Sequence, residues 1–327
     1  MTPNNLNEQL TKYLTDAHSI EQQALAQMRS APKLAGDTQI AQAFSQHLDE
    51  TAEHERIVSE LLEARGASAS KIKDIAGTVT GKGFGAFAAA QPDTPGKLIV
   101  HAFSYERMEE AAYQLLGSVA ERAGDSATVA AARRIERQEH MMGDRLAALF
   151  DRALEASLRD LNPDAIGKQL DKYLADAHAI EGQSLSLLEK GRDVAGSREL
   201  ADAYATHHGE TEQHRRLIAE RLEARGSASS KLKDAALRLG ALNWGAFFAA
   251  QPDTSVKLAA FAFAVEHLEC GAYEMLRRVA ERASDPDTAR TAEQILAEEH
   301  AAAERIWSLF PEAVDAALDG HGVGTVA

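Results

Sequence analysis

The chain has 327 residues, 45% of them hydrophobic and 6% aromatic, with Cys270 as its one cysteine. Its 35 basic and 50 acidic side chains leave a formal charge of −15, which repels nucleic acid and an anionic membrane surface. No apolar run approaches the roughly 18 residues that span a bilayer. A lone cysteine closes no internal disulfide, and MTPNNLNEQL has neither the basic nor the apolar region of a signal peptide, so a reducing cytosol is expected.

At about 150 residues per domain the length predicts two domains, and a repeat specifies them. KYLTDAHSIEQQAL (12–25) returns as KYLADAHAIEGQSL (172–185), and LEARGASASK (62–71) as LEARGSASSK (222–231). The offset of 160 holds without a gap from Leu10/Leu170 to Phe150/Phe310. Two copies are therefore expected, at 1–160 and 161–318, followed by a Gly-rich, flexible tail at 319–327. The seam falls at Leu161-Asn162-Pro163-Asp164, where Asn-Pro signals a turn. Abundant alanine favours helix over strand, and strand signals are absent. The fold class is all-α, two tandem four-helix bundles.

In the first copy the helices are predicted near 4–30, 37–65, 95–123 and 126–157, with prolines in the breaks and Gly66 and Gly226 as C-caps. Residues 67–94 are less regular. They predict a short helix around Lys71–Thr78 and an apolar turn, GFGAFAAAQ, across the bundle.

Each helix carries acids on its apolar stripe. The first reads Leu10, Leu14, Ala17, Glu21, Ala24, Met28, so Glu21 faces the core, and Glu181 does so in the second copy. The second helix reads Ile40, Phe44, His47, Glu50, His54, Ile57, Leu61. Its His47, Glu50 and His54 are spaced i, i+3, i+7 on one face, and the second copy has His207, Glu210 and His214. The third places Glu106, Glu109 and Tyr113 at the same spacing, repeated as Glu266, Glu269 and Tyr273. The fourth carries Ile135, Glu139, Met142 and Leu146, with Glu299 in the second copy. The two tyrosines, one turn past Glu109 and Glu269, are expected as core aromatics, with electron transfer or a hydrogen bond at the site as the alternative.

A single inward charge on a helix is commonly a solvated or satisfied residue. Here the pattern occurs on four helices, twice. Four carboxylates in one dry core cannot all ionise, because desolvation and like charge both oppose it. Divalent cations remove that cost by taking the carboxylates as ligands. Carboxylate with imidazole and no thiolate suits iron or manganese, with zinc as an alternative. Comparing the copies trims the set: Glu53 becomes Gln213, Glu136 becomes Leu296 and His101 becomes Phe261. The pairs His18/His178, His47/His207, His54/His214 and His140/His300 persist. His18, at the stripe edge, is expected to support rather than ligate. His140 and His300 stay among the metal-ligand candidates although each lies about 100° round its helix from the neighbouring glutamate.

DAHSIEQQ, HLDETAEHERI, YERMEEAAYQLL and RQEHMMGDRL, with their second-copy counterparts DAHAIEGQ, HHGETEQHRRL, VEHLECGAYEML and AEEHAAAERI, resemble the ferritin-like metal-binding family of the YciE and YciF type, a domain of unknown function. The resemblance covers nearly the whole chain as two tandem domains. It implies a ferritin-like bundle, a di-iron site in each copy, a tendency to pair and a stress-linked role with no settled reaction. By position Glu21, Glu50, Glu106, Glu109 and Glu139 match acidic positions of the family, and His47 matches its histidine. The sequence departs from ferritins in general by lacking the spaced Glu-x-x-His pairs on helices two and four. Expected partners are metal ions and O2 or peroxide. Two fused copies can supply within one chain the pairing of single-copy relatives, as a monomer or a homodimer.

Overall fold

The computed structural model describes residues 6–67, 94–227 and 254–320. The expected short helix near Lys71–Thr78, the GFGAFAAAQ turn and residues 321–327 of the tail lie outside the described residues. No strand occurs among those described, and none of their helices is long and apolar enough to cross a membrane.

The chain divides into two compact units, the first ending at Ser157 and the second running Leu158–Gly320. The first contains α1 (Leu6–Met28), α2 (Ala31–Leu34), α3 (Thr38–Ala64), α4 (Thr94–Arg122), α5 (Ser126–Ala147) and α6 (Phe150–Leu158). The second contains α7 (Pro163–Val194), α8 (Arg198–Ala224), α9 (Thr254–Arg282), α10 (Pro286–Ser308) and α11 (Phe310–Gly320).

Local chemistry sets the boundaries. Asp37 caps α3 by accepting from the Gln39 and Ile40 amides, and Arg152 holds it from the far end of the same unit at 2.9–3.0 Å. Asp125 and Asp285 cap α5 and α10 by accepting from the amides of Thr128 and Thr288. Asn162 caps α7, with Pro163 in the first turn, where its missing N–H costs nothing. Gly66 (φ +71°) and Gly226 (φ +67°) end α3 and α8 in the left-handed region, as the sequence predicts. The next amide reaches back to Leu62 and Leu222 respectively, closing the capping turn.

One boundary matches expectation and one differs. The first helix, expected near 4–30 with Pro32 in the break after it, is α1 ending at Met28, and a separate turn of helix, α2, carries Pro32. The second copy has Arg192 there and α7 continues to Val194. Proline lacks the amide that helix continuation needs and crowds the preceding turn. The fourth helix, expected over 126–157, is broken at residues 148–149 by a tight turn in which the Leu149 amide bonds to the Leu146 carbonyl.

In the first unit α1 pairs with α3 and α4 with α5, while α1 also packs on α4 and α3 on α5. The contacts at the two ends fix the directions. Arg65, at the end of α3, meets Asn7 and Asp125. Gly36, just before α3, lies against Pro95, and the Gly96 amide donates to Ser157. So α3 ends, and α4 begins, at opposite ends of the bundle. The two run parallel and lie diagonally, a four-helix bundle with one long connection. The second unit repeats this, with Arg225 bonded to Asp171, Gly167 and Asp285 at one end and Gly196 against Ser255 and Ala316 at the other.

The bundle ends are apolar. Leu10, Leu14, Ile40, Phe44, Leu62, Leu98 and Ile99 are essentially inaccessible to solvent. The middle of each core is a polar slab, and the functional argument rests on it.

Candidate metal centres

The α1 stripe delivers Glu21 inward as read, and it is 0% exposed. On α4, Glu106 and Glu109 are likewise fully buried, as is Glu139 on α5. On α3 the buried row is Ile40, Phe44, His47, Thr51, His54, Val58, Leu62. The sequence stripe ran through Glu50, Ile57 and Leu61, one residue or about 100° off. Helix phase decides this: Thr51 is i+4 from His47 and i−3 from His54, and its hydroxyl bonds back to the His47 carbonyl at 2.9 Å. Glu50 is therefore turned out to a half-exposed position.

Six side chains converge in each unit. His47, Glu106, Glu109 and Glu139 bring one atom each within 4.8 Å of one another, and so do Glu21, His54 and Glu139. Glu139 belongs to both groups. Its Oε2 lies 3.4 Å from His47 Nε2 and its Oε1 2.7 Å from His54 Nδ1. His47 Nε2 is also 2.8 Å from Glu106 Oε2, and His54 Nδ1 is 3.9 Å from Glu21 Oε1. The second unit reproduces the arrangement. Glu299 lies 3.4 Å from His207 and 2.8 Å from His214, His207 is 2.6 Å from Glu266, and His214 is 3.8 Å from Glu181. Glu269 completes the group around His207.

The inward atoms do not satisfy each other. Both oxygens of Glu106, Glu109 and Glu139, Oε2 of Glu21, His47 Nε2 and His54 Nδ1 have no hydrogen bond of good geometry, and the same holds for all their second-unit counterparts. A fully buried, unsatisfied carboxylate costs on the order of 1–3 kcal/mol or more, and here the orphans all point at one another.

Their electrostatics show the same tension. Burial, followed by the charge of Glu139, pushes Glu21 well above the ordinary carboxylate range. Burial also holds Glu109 and Glu269 high and raises Glu106 and Glu266 to about 7 and Glu181 to about 8. Glu139 and Glu299 move the other way. Burial opposes ionisation, but the flanking imidazoles, within 2.7–3.4 Å, prevail, and Glu299 falls to about 2.

Each imidazole is oriented from behind. Glu50 Oε2 lies 3.0 Å from His47 Nδ1, and Glu210 Oε2 3.0 Å from His207 Nδ1. An ionised carboxylate only accepts, so Nδ1 carries a hydrogen and Nε2 is the nitrogen turned to the inward glutamates, which, against the opposing effect of burial, raise His47 and His207 well above the ordinary imidazole range. His54 Nε2 meets the Gln138 amide oxygen at 3.2 Å and His214 Nε2 meets Glu298 at 2.8 Å, which leaves their Nδ1 atoms inward, each a lone-pair donor once its proton is displaced. Tyr113 donates to Glu21 and Tyr273 to Glu181 in short, buried hydrogen bonds. The tyrosines thus lie on the centres as outer partners.

Of the residues singled out in the sequence, Glu50 and Glu210 stand outside the ligand-atom groups, behind the histidines. His140 is also outside, half exposed, with Nδ1 2.9 Å from Glu110 and beside Arg107. His300 faces Cys270 Sγ at 3.5 Å. His18 is buried against Glu55 at 3.1 Å, away from the six. The sequence reading missed Thr51, Gln138 and Glu298. A threonine between two inward histidines was the available sign for the first; for the others, contact across two helices leaves none.

The residues present fit divalent cations: a shut-off set of carboxylate and imidazole lone pairs that lacks donors. The molecule is thus an all-α protein of two bundles, each with a buried Glu/His group that could hold metal. The chain matches the family described as Domain of unknown function (DUF892) over residues 5–159 and again over 167–319, and it belongs to that family as a tandem duplicate. No solved structure matches it.

Proposed function

We propose that each unit is a di-metal carboxylate centre of the ferritin-like kind, holding iron, with manganese or zinc as alternatives. One observation carries the reading: Glu139 and Glu299 each belong to two ligand groups, with one oxygen turned to each histidine. A carboxylate shared this way is a bridge. Charge supports a pair of cations. Glu21, Glu106, Glu109 and Glu139 contribute four negative charges, and two divalent cations cancel them where one leaves an excess of two. Four glutamates and two histidines is the ligand inventory of di-iron carboxylate bundles. The distribution differs: α3 supplies both imidazoles and α4 two carboxylates. The connectivity, with α3 and α4 parallel across one long connection, is also that of ferritin-like bundles.

His47 and His207 would hold one cation with Glu106/Glu109 and Glu266/Glu269. His54 and His214 would hold the other with Glu21 and Glu181, and Glu139 and Glu299 would join the pair. Bound iron supplies one-electron chemistry toward O2 or peroxide. The protein's own residues do the rest. Glu50 and Glu210 fix the histidine tautomers, Tyr113 and Tyr273 hold Glu21 and Glu181, and the apolar ends exclude bulk water. The role we infer is iron binding, with oxidation by O2 or peroxide, in a stress response in the cytosol. The alternative is a metal-binding or structural stress protein without turnover, favoured by one observation: burial closes off every inward ligand atom.

Anaerobic titration with Fe(II), followed by O2, tests both readings. Uptake with an optical transition and O2 consumption supports the first. Tight uptake that raises the melting temperature without consumption supports the second. A protein that takes up no metal overturns both.

A further inference from the structure

The inner faces of His54 and His214 are matched. Nδ1 lies 2.7 Å from Glu139 in one unit and 2.8 Å from Glu299 in the other, and 3.9 and 3.8 Å from Glu21 and Glu181. Their outer faces are not. His54 Nε2 meets a neutral amide, the Gln138 oxygen, at 3.2 Å. His214 Nε2 meets a carboxylate, Glu298 Oε2, at 2.8 Å. Gln138 and Glu298 are the same position of the repeat, each directly before the shared glutamate. Gln294, one turn earlier, donates to the other oxygen of Glu298 at 3.1 Å and holds the carboxylate in place. The molecule therefore carries its own controlled comparison, with equal geometry at the ligand and a different charge behind it.

An imidazole whose N–H is donated to a carboxylate shifts toward imidazolate character and becomes a stronger donor through its other nitrogen. An amide oxygen polarises it far less. We propose that the two centres are unequal by construction. Glu298 makes the His214 position of the second unit bind a divalent cation more tightly than the His54 position of the first. Glu298 acts through His214 and is a positioning residue. This rests on the metal-centre reading above. Outer partners of this kind change metal affinity by about 10- to 100-fold. The Glu298 side chain is 35% exposed, so solvent screens part of the effect and the lower figure is expected.

The test is a reciprocal swap in the full chain, read by Co(II) binding in competition with a chromophoric chelator. Wild-type protein shows cobalt positions about tenfold apart in affinity. Glu298→Gln keeps the shape and removes the charge, and the tighter position falls to the level of the weaker. Gln138→Glu raises the weaker toward the tighter. A purely structural role predicts loss in either variant and no gain in Gln138→Glu, so that gain is decisive; if Gln138→Glu does not fold, Gln138→Asp read in the same assay takes its place. Cobalt bound with unchanged affinities in both variants overturns this inference and leaves the metal centres standing. No cobalt bound by wild-type protein overturns the centres themselves.

Discussion

The two units present the same six inward ligand residues, and the distances among them differ by at most about 0.2 Å. One layer further out they diverge. Behind the histidines the first unit has Gln138 where the second has Glu298, and Arg107 and Glu110 of the first unit stand where the second has His267 and Cys270. In the first unit Arg107 is buried among Glu110, Asp144 and His140, lying against Gly143, where a side chain would meet its guanidinium at about 3.0 Å. The second unit has Ala303 at that position and His267 in place of the arginine. His18 faces the acid Glu55, whereas His178 faces Arg215 and is held down to about 4 by burial and that charge. Phe44 and Ala24 become Tyr204 and Ser184, whose hydroxyls are buried without a hydrogen-bond partner. The two copies thus share the inward glutamates and histidines and differ in the residues behind them, the pattern expected on our reading if two metal sites share a chemistry but not a tuning.

The largest effect that could break this comparison is removal of the shared carboxylate. Glu139→Ala should lose both cations of the first unit and leave the second loaded, and Glu299→Ala should do the converse. Metal analysis of each variant checks this, and loss from both units by either change would contradict independent centres.

Next is pH. Buried carboxylates raised to about 7 or 8 (Glu106, Glu266, Glu181) stabilise the metal-free fold fully below about 4.5 and lose that contribution as pH rises through their folded values. His214, held up to about 9 by Glu299 against the opposing effect of burial, adds in the same direction. Glu299, depressed to about 2, contributes above about 4.5 and changes only in strong acid. The metal-free melting temperature should therefore fall from pH 5 to pH 8.5, whereas metal, which binds the deprotonated ligands, should flatten the profile. Thermal melts with and without Mn(II) read this directly.

Smaller effects follow outward from the centre. Tyr113→Phe should remove about 0.5–1.5 kcal/mol of metal-free stability by stripping the hydrogen bond from Glu21, and Tyr273→Phe should match it in denaturant melts. Glu50→Gln should weaken metal binding in the first unit by about tenfold without abolishing it, since Glu50 orients His47 from behind; complete loss would place Glu50 inside the centre. Glu53→Gln, which copies the second unit's residue at a surface ion pair with Arg56, should leave metal content unchanged.

Much of this was legible in the sequence. The repeat defined two units, and the stripes of α1, α4 and α5 named Glu21, Glu106, Glu109 and Glu139, because apolar neighbours on both sides fix the phase of a helix. The α3 stripe slipped because Glu50 looked more chemical than Thr51, although 47, 51, 54 and 58 is the row that stays on one face. Proline at position 32 against arginine at 192 decided whether the first helix breaks, a local signal that placed the break of the first copy in the sequence reading. Gln138 and Glu298 were illegible because their meaning comes from a histidine 84 residues away on another helix.

The central claim is two bridged metal pairs in one chain, and metal stoichiometry tests it most directly. Full-length protein loaded anaerobically with Fe(II) or with Mn(II), then weighed by native mass spectrometry, should carry two cations per unit and four per chain, and the Glu139→Ala/Glu299→Ala double variant should carry none. Wild-type protein that remains metal-free, or a double variant that keeps the wild-type load, would contradict the account.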